Sequence, residues 1–364
     1  MATELTRTVE APAGNAPAPA EEQAWRGFVR RFLSALGAAL AVIGAANYFV
    51  NPTGLHAPKL LPTVNWNVRA TKTELLKQAA VKPEALILGS SRAMKIQPAL
   101  VQELTGLPTF NATVEGAMTE DDYVMLRYAV ERAGAQPKLL LIGVDVESFH
   151  NARPSNVALA ISDELSELAP GGSRLSKWKK FTRLYSWEET KLTWRSLRHA
   201  IVGYPTTWNR FDADGYLHYV LYERERAAGK YPLDRRIDVV AADYVARFQG
   251  YTQLDAARVG YLEDMIRYGQ QRGARVVLFI TTLHPRVIAA VNSKGYAERY
   301  EEVKQLLERL KQQHGVEVYD FSTTDKFGGQ NDWFYDGSHI DERNADLITH
   351  KMLDRKEAKT GAVQ

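Results

Sequence analysis

The chain has 364 residues, 45% of them hydrophobic and 24% charged, enough apolar material for one sizeable core plus extensions. Its formal net charge of +3, from 46 basic and 43 acidic residues, is too small a bias to argue for a nucleic-acid partner. The absence of cysteine excludes disulfides, thiol catalysis and thiolate-bound metal, and is compatible with an oxidising compartment.

Residues 1–24 carry Ala, Pro, Glu and Thr without apolar periodicity and read as a disordered tail. Arg26, Arg30 and Arg31 then precede Phe32–Val50, a stretch without a charge. At about 1.5 Å per residue such a helix spans roughly 28 Å, close to the thickness of a hydrocarbon core. Tyr48 and Phe49 sit at its far end as interfacial aromatics, and Asn51-Pro52 stops it. The expectation is a signal anchor over residues 25–51 in a cytoplasmic (inner) membrane. With the arginines before the span, the N-terminus stays cytoplasmic and the rest is periplasmic or extracellular. Residues 52–83, with Pro52, Pro58, Pro62 and a helix near Lys72–Ala80, are expected to be a tether.

Strand and helix signals alternate from Glu84 onward. Apolar runs at 84–88, 108–111, 138–142, 276–280 and 316–319 predict strands, and helices are expected at 97–105, 120–134, 255–272, 296–314 and 341–353. This alternation predicts an α/β domain over 84–354, a doubly wound, flavodoxin-like parallel sheet of about five strands. Residues 355–364 read as a tail. A helical insertion at about 151–253 breaks the rhythm. Its stretch 173–202 mixes Trp178, Phe181, Tyr185, Trp187 and Trp194 with Lys177, Lys179, Lys180, Arg183, Lys191, Arg195 and Arg198. Two readings stand: an amphipathic helix pair with aromatics on the sheet and cations in solvent, or a cap over the crevice that meets an anionic glycan or a lipid surface. Asp212-Ala-Asp214-Gly215 starts like a calcium loop, but Tyr216 and Leu217 stand where a ligand and a glycine are needed. No metal or other cofactor is expected, since the scattered histidines lack ligand spacing.

The first strand ends in Gly89-Ser90-Ser91-Arg92. In open α/β sheets ligands sit at the carboxyl ends of strands, so either serine would face a crevice as a candidate nucleophile. Near the C-terminus, Asp336-Gly337-Ser338-His339 lets one turn present an acid and an imidazole together. A serine, a base and an orienting carboxylate compose the triad logic of acyl transfer. His284, after the fourth strand, and Arg92 are second-rank candidates for substrate contact. Arg92 could hold an anion or pair with Asp145 or Glu147.

The order Ser, then Asp-x-x-His close to the C-terminus, resembles the SGNH/GDSL hydrolase superfamily. Its membrane-anchored subgroup near the D-alanyl transfer and alginate O-acetylation proteins is the nearest in motif. The resemblance implies Ser91 as nucleophile, His339 as base and Asp336 as orienting acid. It also implies oxyanion donors at the N–H groups of Ser91 and Gly116, with Asn111 in the same block as a further candidate for substrate contact. At the third block, Gly143-Val144-Asp145, the family has an Asn donor where Asp145 stands. An ionised carboxylate accepts only, so either the hole relies on the other two amides or Asp145 serves another purpose. The resemblance further implies acylated cell-envelope or extracellular polysaccharide as substrate, and a membrane-bound O-acyltransferase as a possible partner. An enzyme, either an esterase or an O-acyltransferase, is the first expectation. A catalytically weak glycan-binding or scaffold subunit is the second.

Overall fold

The computed structural model describes residues 19–53, 56, 60–61, 68–154, 163–169, 178, 181–203 and 209–354. Most of the tail expected at 1–24, the tail at 355–364 and parts of the insertion lie outside them. Helix α1, Pro19–Val50, is followed by α2 (Val68–Gln78), β1 (Ala85–Leu88), α3 (Pro98–Thr105), β2 (Thr109–Asn111), α4 (Thr119–Glu131) and β3 (Leu139–Val144). The insertion holds α5 (Asp163–Ser166), α6 (Trp187–Val202), β4 (Arg210–Phe211), β5 (Leu217–His218), α7 (Val220–Ala227) and α8 (Leu233–Arg247). The chain then returns to the sheet through α9 (Ala256–Gln270), β6 (Arg275–Ile280), α10 (Pro285–Asn292), α11 (Tyr296–His314), β7 (Glu317–Asp320) and α12 (Glu342–Leu353).

Five strands form one sheet in the order β2-β1-β3-β6-β7, and every pairing is parallel. The protein is therefore the expected doubly wound α/β fold. The strands read as unbroken apolar runs because both faces are covered. Leu86, Leu88, Leu140, Ile142, Val276 and Leu278 enter one core cluster. Their alternating neighbours Ala85, Ile87, Leu139, Leu141, Val277 and Phe279 enter the other. Strand β3 runs two residues past the expected end, since Gly143 and Val144 pair with Phe279 and Ile280 of the six-residue β6.

Winding reverses between β1 and β3, so the crevice at their carboxyl ends is the topological switch point where such sheets hold ligands. Gly89 makes the turn out of β1 at φ 129, and a Cβ there would lie 2.8 Å from the Gly143 carbonyl oxygen. Its N–H donates to Asp122 Oδ1 at 2.9 Å.

Three expectations need correction. The helix α1 begins at Pro19, inside the stretch assigned to a tail. The tether assigned to 52–83 gives way at Val68 to packed structure: Lys72 is fully buried and donates to the carbonyl oxygens of Asn111 and Gly215, each at 2.5 Å. Burial pushes the Lys72 ammonium well below its usual range, against the opposing charge of Asp214. The insertion, expected to be helical, also carries the β4–β5 hairpin, whose turn uses Asp214 to accept the Tyr216 N–H and Asp212 to pair with His218 at 2.7 Å.

Helix α1 is long and apolar enough, over Glu22–Val50, to cross a membrane, and little of it is buried. It is the one such helix among the described residues.

Replacing Gly89 by Ala should destabilise the fold by more than about 1 kcal/mol, because alanine resists positive φ. The measurement is the urea midpoint of unfolding, and an unchanged midpoint would show that the turn relaxes freely.

Candidate active site

Ser91 opens a short 3-10 turn, Ser91–Ala93, at the end of β1, and Ser90 caps it by accepting the Arg92 N–H at 3.2 Å. Helix capping thus falls to Ser90, leaving the Ser91 side chain directed into the crevice. Its Oγ lies 2.9 Å from His339 Nε2. On the other side of the imidazole, His339 Nδ1 lies 2.8 Å from Asp336 Oδ2 and 3.0 Å from Oδ1. Residues 248 positions apart in the chain meet here within bonding distance.

The turn that carries the acid and the imidazole is fixed by its own carboxylate. Asp336 Oδ1 accepts the N–H groups of Ser338 and His339 at 2.8 and 2.9 Å. The Tyr335 N–H donates back to the His339 carbonyl at 2.7 Å. Gly337 is required by crowding, since a Cβ there would fall 2.4 Å from Val287 of α10 and 3.1 Å from Val240 of α8. Tyr219, Tyr222 and Tyr335 pack behind the turn, with the Tyr219 ring 5.8 Å from that of His339.

Electrostatics follow from this geometry. Burial raises the Asp336 carboxyl, but the His339 ring and the two backbone donors outweigh it and hold the acid at about 2. Burial likewise lowers His339, and the charge and hydrogen bond of Asp336 reverse that, leaving the imidazole above its ordinary value. An imidazole so held is oriented with Nδ1 on the acid and Nε2 toward Ser91 Oγ, the arrangement of a general base.

A cavity of about 350 Å³ opens over these groups, lined by Ser90, Ser91, Gly116, Asp145, Tyr244 and His339 among others. Gly116 has φ +58, and its N–H takes no acceptor among the described residues. Glu115, Glu147, Arg153, Asp243 and Arg247 also line it, which makes the crevice polar and charged. Val240, Asp243, Tyr244 and Arg247 come from α8, so the insertion forms one wall. Sequence reasoning missed that wall. The one available signal was the placement of polar and aromatic residues on an otherwise ordinary amphipathic helix.

Asp145 stands at the end of β3, where it accepts the Thr281 hydroxyl at 2.5 Å and lies 3.8 Å from the Arg92 guanidinium. Arg92 is buried against Glu147, Thr281 Oγ1 at 3.1 Å and Tyr244 Oη at 2.9 Å. Of the two alternatives posed for Asp145, these contacts favour a purpose other than oxyanion donation. Burial raises both carboxyls; the direct Arg92 contact outweighs it at Glu147, which is held low, while Asp145, farther from the cation, stays raised.

The second-rank candidates fall outside the crevice. Asn111 is fully buried: its Nδ2 donates to the carbonyls of Ala93 and Ile96 at 3.1 and 3.0 Å and its Oδ1 accepts from the Thr113 backbone. It ties the Ser91 turn to β2 and is not placed for substrate. His284 caps α10, accepting the Arg286 N–H at 3.2 Å, with its ring edge on Phe334 at 5.2 Å. Arg92, engaged as above, is not free to take an anion.

No protein-family model matches the sequence, and a search of curated proteins finds no match. Among solved structures, the chain is similar to a Bacteroides fragilis protein presented only as a candidate acylhydrolase. The identity is 11%, the likeness covers 81% of this chain and 95% of that one, and the TM-score is 0.35. A likeness that distant does not bear on the chemistry.

Replacing Asp336 by Asn removes the charge that raises His339 while leaving the burial that lowers it. The imidazole should then titrate below its ordinary value of about 6.5. An NMR titration of the ring protons measures this, and an unmoved midpoint would dissociate the two side chains.

Proposed function

We propose that the chain is a membrane-anchored serine esterase or O-acyltransferase of the SGNH type, acting on ester groups of a cell-envelope or extracellular polysaccharide. The observation that carries this reading is the continuous file of Ser91 Oγ, His339 and Asp336, at 2.9 and 2.8 Å. In the proposed reaction Ser91 Oγ bonds to the ester carbonyl carbon as His339 Nε2 takes its proton. Negative charge gathers on the carbonyl oxygen, where the N–H groups of Ser91 and Gly116 would meet it. The carbonyl–oxygen bond to the leaving alcohol then breaks as His339 returns the proton, leaving acyl-Ser91. Water resolves it to acid, and a sugar hydroxyl resolves it to a new ester.

The apolar α1 supports an inner-membrane anchor with the N-terminus cytoplasmic and the body on the far side, where the arginines before the span would set orientation. A polar, charged crevice suits a glycan better than a lipid tail. A membrane-bound O-acyltransferase that supplies acyl groups is a compatible partner.

One observation favours a second reading, a glycan-binding or scaffold subunit with weak chemistry. Glu115, Asp145 and Glu147 all line the crevice, and ionised carboxylates near a forming oxyanion oppose it.

With full-length protein in detergent and p-nitrophenyl acetate, Ser91→Ala should lower kcat/KM by about 10³-fold or more, with loss of the acetyl adduct seen by mass spectrometry. Activity at the level of Ser91→Ala in the unaltered protein, with no adduct, would favour the scaffold. An adduct lost only in Ser90→Ala would assign the nucleophile to the other serine. Because the base works neutral and its folded value is raised, kcat/KM should fall as pH drops through a midpoint above about 6.5. Asp336, held at about 2, stays ionised across that range.

A further inference from the structure

The described residues of the basic, aromatic part of the insertion neither lie on the sheet nor line the cavity, so both expected placements are corrected. Helix α6 packs instead against the C-terminal end of α1. Asn47 Nδ2 donates to the Leu184 carbonyl at 2.6 Å and to Thr190 Oγ1 at 3.1 Å. Thr53 Oγ1 donates to Glu189 Oε1 at 2.6 Å, and Arg183 pairs with the other oxygen of Glu189 at 2.9 Å. The Tyr185 hydroxyl lies against Gly44, so close that a Cβ there would be 2.9 Å away. Glu189, Thr193 and Ser196 form the buried face of α6.

The rest of α6 carries large apolar side chains outward. Trp187 is 75% exposed, Trp194 72% and Ile201 85%, spaced seven apart, with Leu197 between the last two. At 3.6 residues per turn these share one stripe. Lys191, Arg195 and Arg198 run beside it, and Arg195 and Arg198 carry no ion pair among the described residues. Trp178, Phe181 and Tyr185 continue the exposed surface as an aromatic ladder, Trp178 stacked on Phe181 with ring centroids 5.7 Å apart and Phe181 edge-on to Tyr185 at 5.5 Å. An apolar stripe flanked by cations, with tryptophans in it, is the composition of a helix lying in a membrane interface.

What covers this stripe is argued from its continuity with α1. Gly44, Asn47 and Thr53 belong to the last turns and exit of a helix long enough to cross a bilayer. A helix bonded to that exit stands at the level where acyl chains give way to headgroups. We propose that α6 and the aromatic ladder lie in the headgroup layer of the bilayer that α1 crosses. Trp187, Trp194, Leu197 and Ile201 enter the acyl boundary, and Arg195 and Arg198 meet lipid phosphates. The α/β body is thereby held against the membrane at two places rather than swinging on one.

The chain has no cysteine, so single cysteines can be introduced for labelling. Full-length protein carrying Trp194→Cys, Ile201→Cys, Leu40→Cys or Lys304→Cys is labelled with an environment-sensitive fluorophore and reconstituted into phosphatidylglycerol–phosphatidylcholine vesicles. Nitroxides on the lipid headgroup or mid-chain serve as quenchers. Labels at 194 and 201 should lose emission to shallow nitroxides, the label at 40 to mid-chain ones, and the label at 304 to neither. Quenching at 40 with none at 194 and 201 overturns the proposal and leaves the stripe to a protein partner. No quenching at 40 removes the membrane span itself, and the proposal with it.

Discussion

The candidate site depends on one carboxylate engaged by several donors at once. Asp336 accepts two backbone N–H groups of its own turn and the Nδ1 side of His339, so the charge that closes the turn also aims the imidazole. A turn held only by side-chain packing could rotate and carry the ring away from Ser91. Here the backbone donors and the ring compete for a common acceptor, and satisfying all of them leaves one orientation. These donors, with the Ser338 hydroxyl at 3.2 Å, lower the energy of the ionised acid in a buried setting, where an unpaired carboxylate would protonate.

Beneath the crevice a second buried charge system has a different character. Arg92 follows the serine in sequence, yet its guanidinium turns inward to Glu147, Asp145, Thr281 and Tyr244. A buried guanidinium does not lose its proton, so its neighbours carry the compensation. The residues that follow β1, β3 and β6 are thereby joined at their carboxyl ends, and the floor of the cavity becomes a rigid polar layer. Asp145 belongs to that layer, where the Thr281 hydroxyl and the Arg92 guanidinium compensate its carboxylate.

The insertion divides its labour. Its later part packs on the Asp336–His339 turn through Tyr219, Tyr222 and Tyr231, and α8 walls the cavity. Its earlier part, α6, lies against the end of α1. One polypeptide segment thus links the apolar N-terminal helix to the wall of the crevice through the short β4–β5 hairpin, under which Lys72 is buried.

Local sequence determined the elements whose cause is local. The apolar runs ending at Leu88 and Ile142 had to be buried strands, since nothing polar interrupts them. Phe32–Val50 had to be a long apolar helix, and Asp336-Gly337-Ser338-His339 had to be a tight turn with acid and imidazole on one side. Only the tertiary structure decided what depends on partners far along the chain. Asn111 looked available for substrate until the carbonyls of Ala93, Met94 and Ile96 closed around it. Arg92 was open to an anion or to an acid of its own chain until Glu147 and Tyr244, 55 and 152 positions away, took it. The aromatics of α6 were open to the sheet or to an outside surface, because an amphipathic period reports that a helix has an apolar stripe, not which neighbour covers it. That choice is made when packed layers exclude some faces and leave others outside, and no window of sequence contains it.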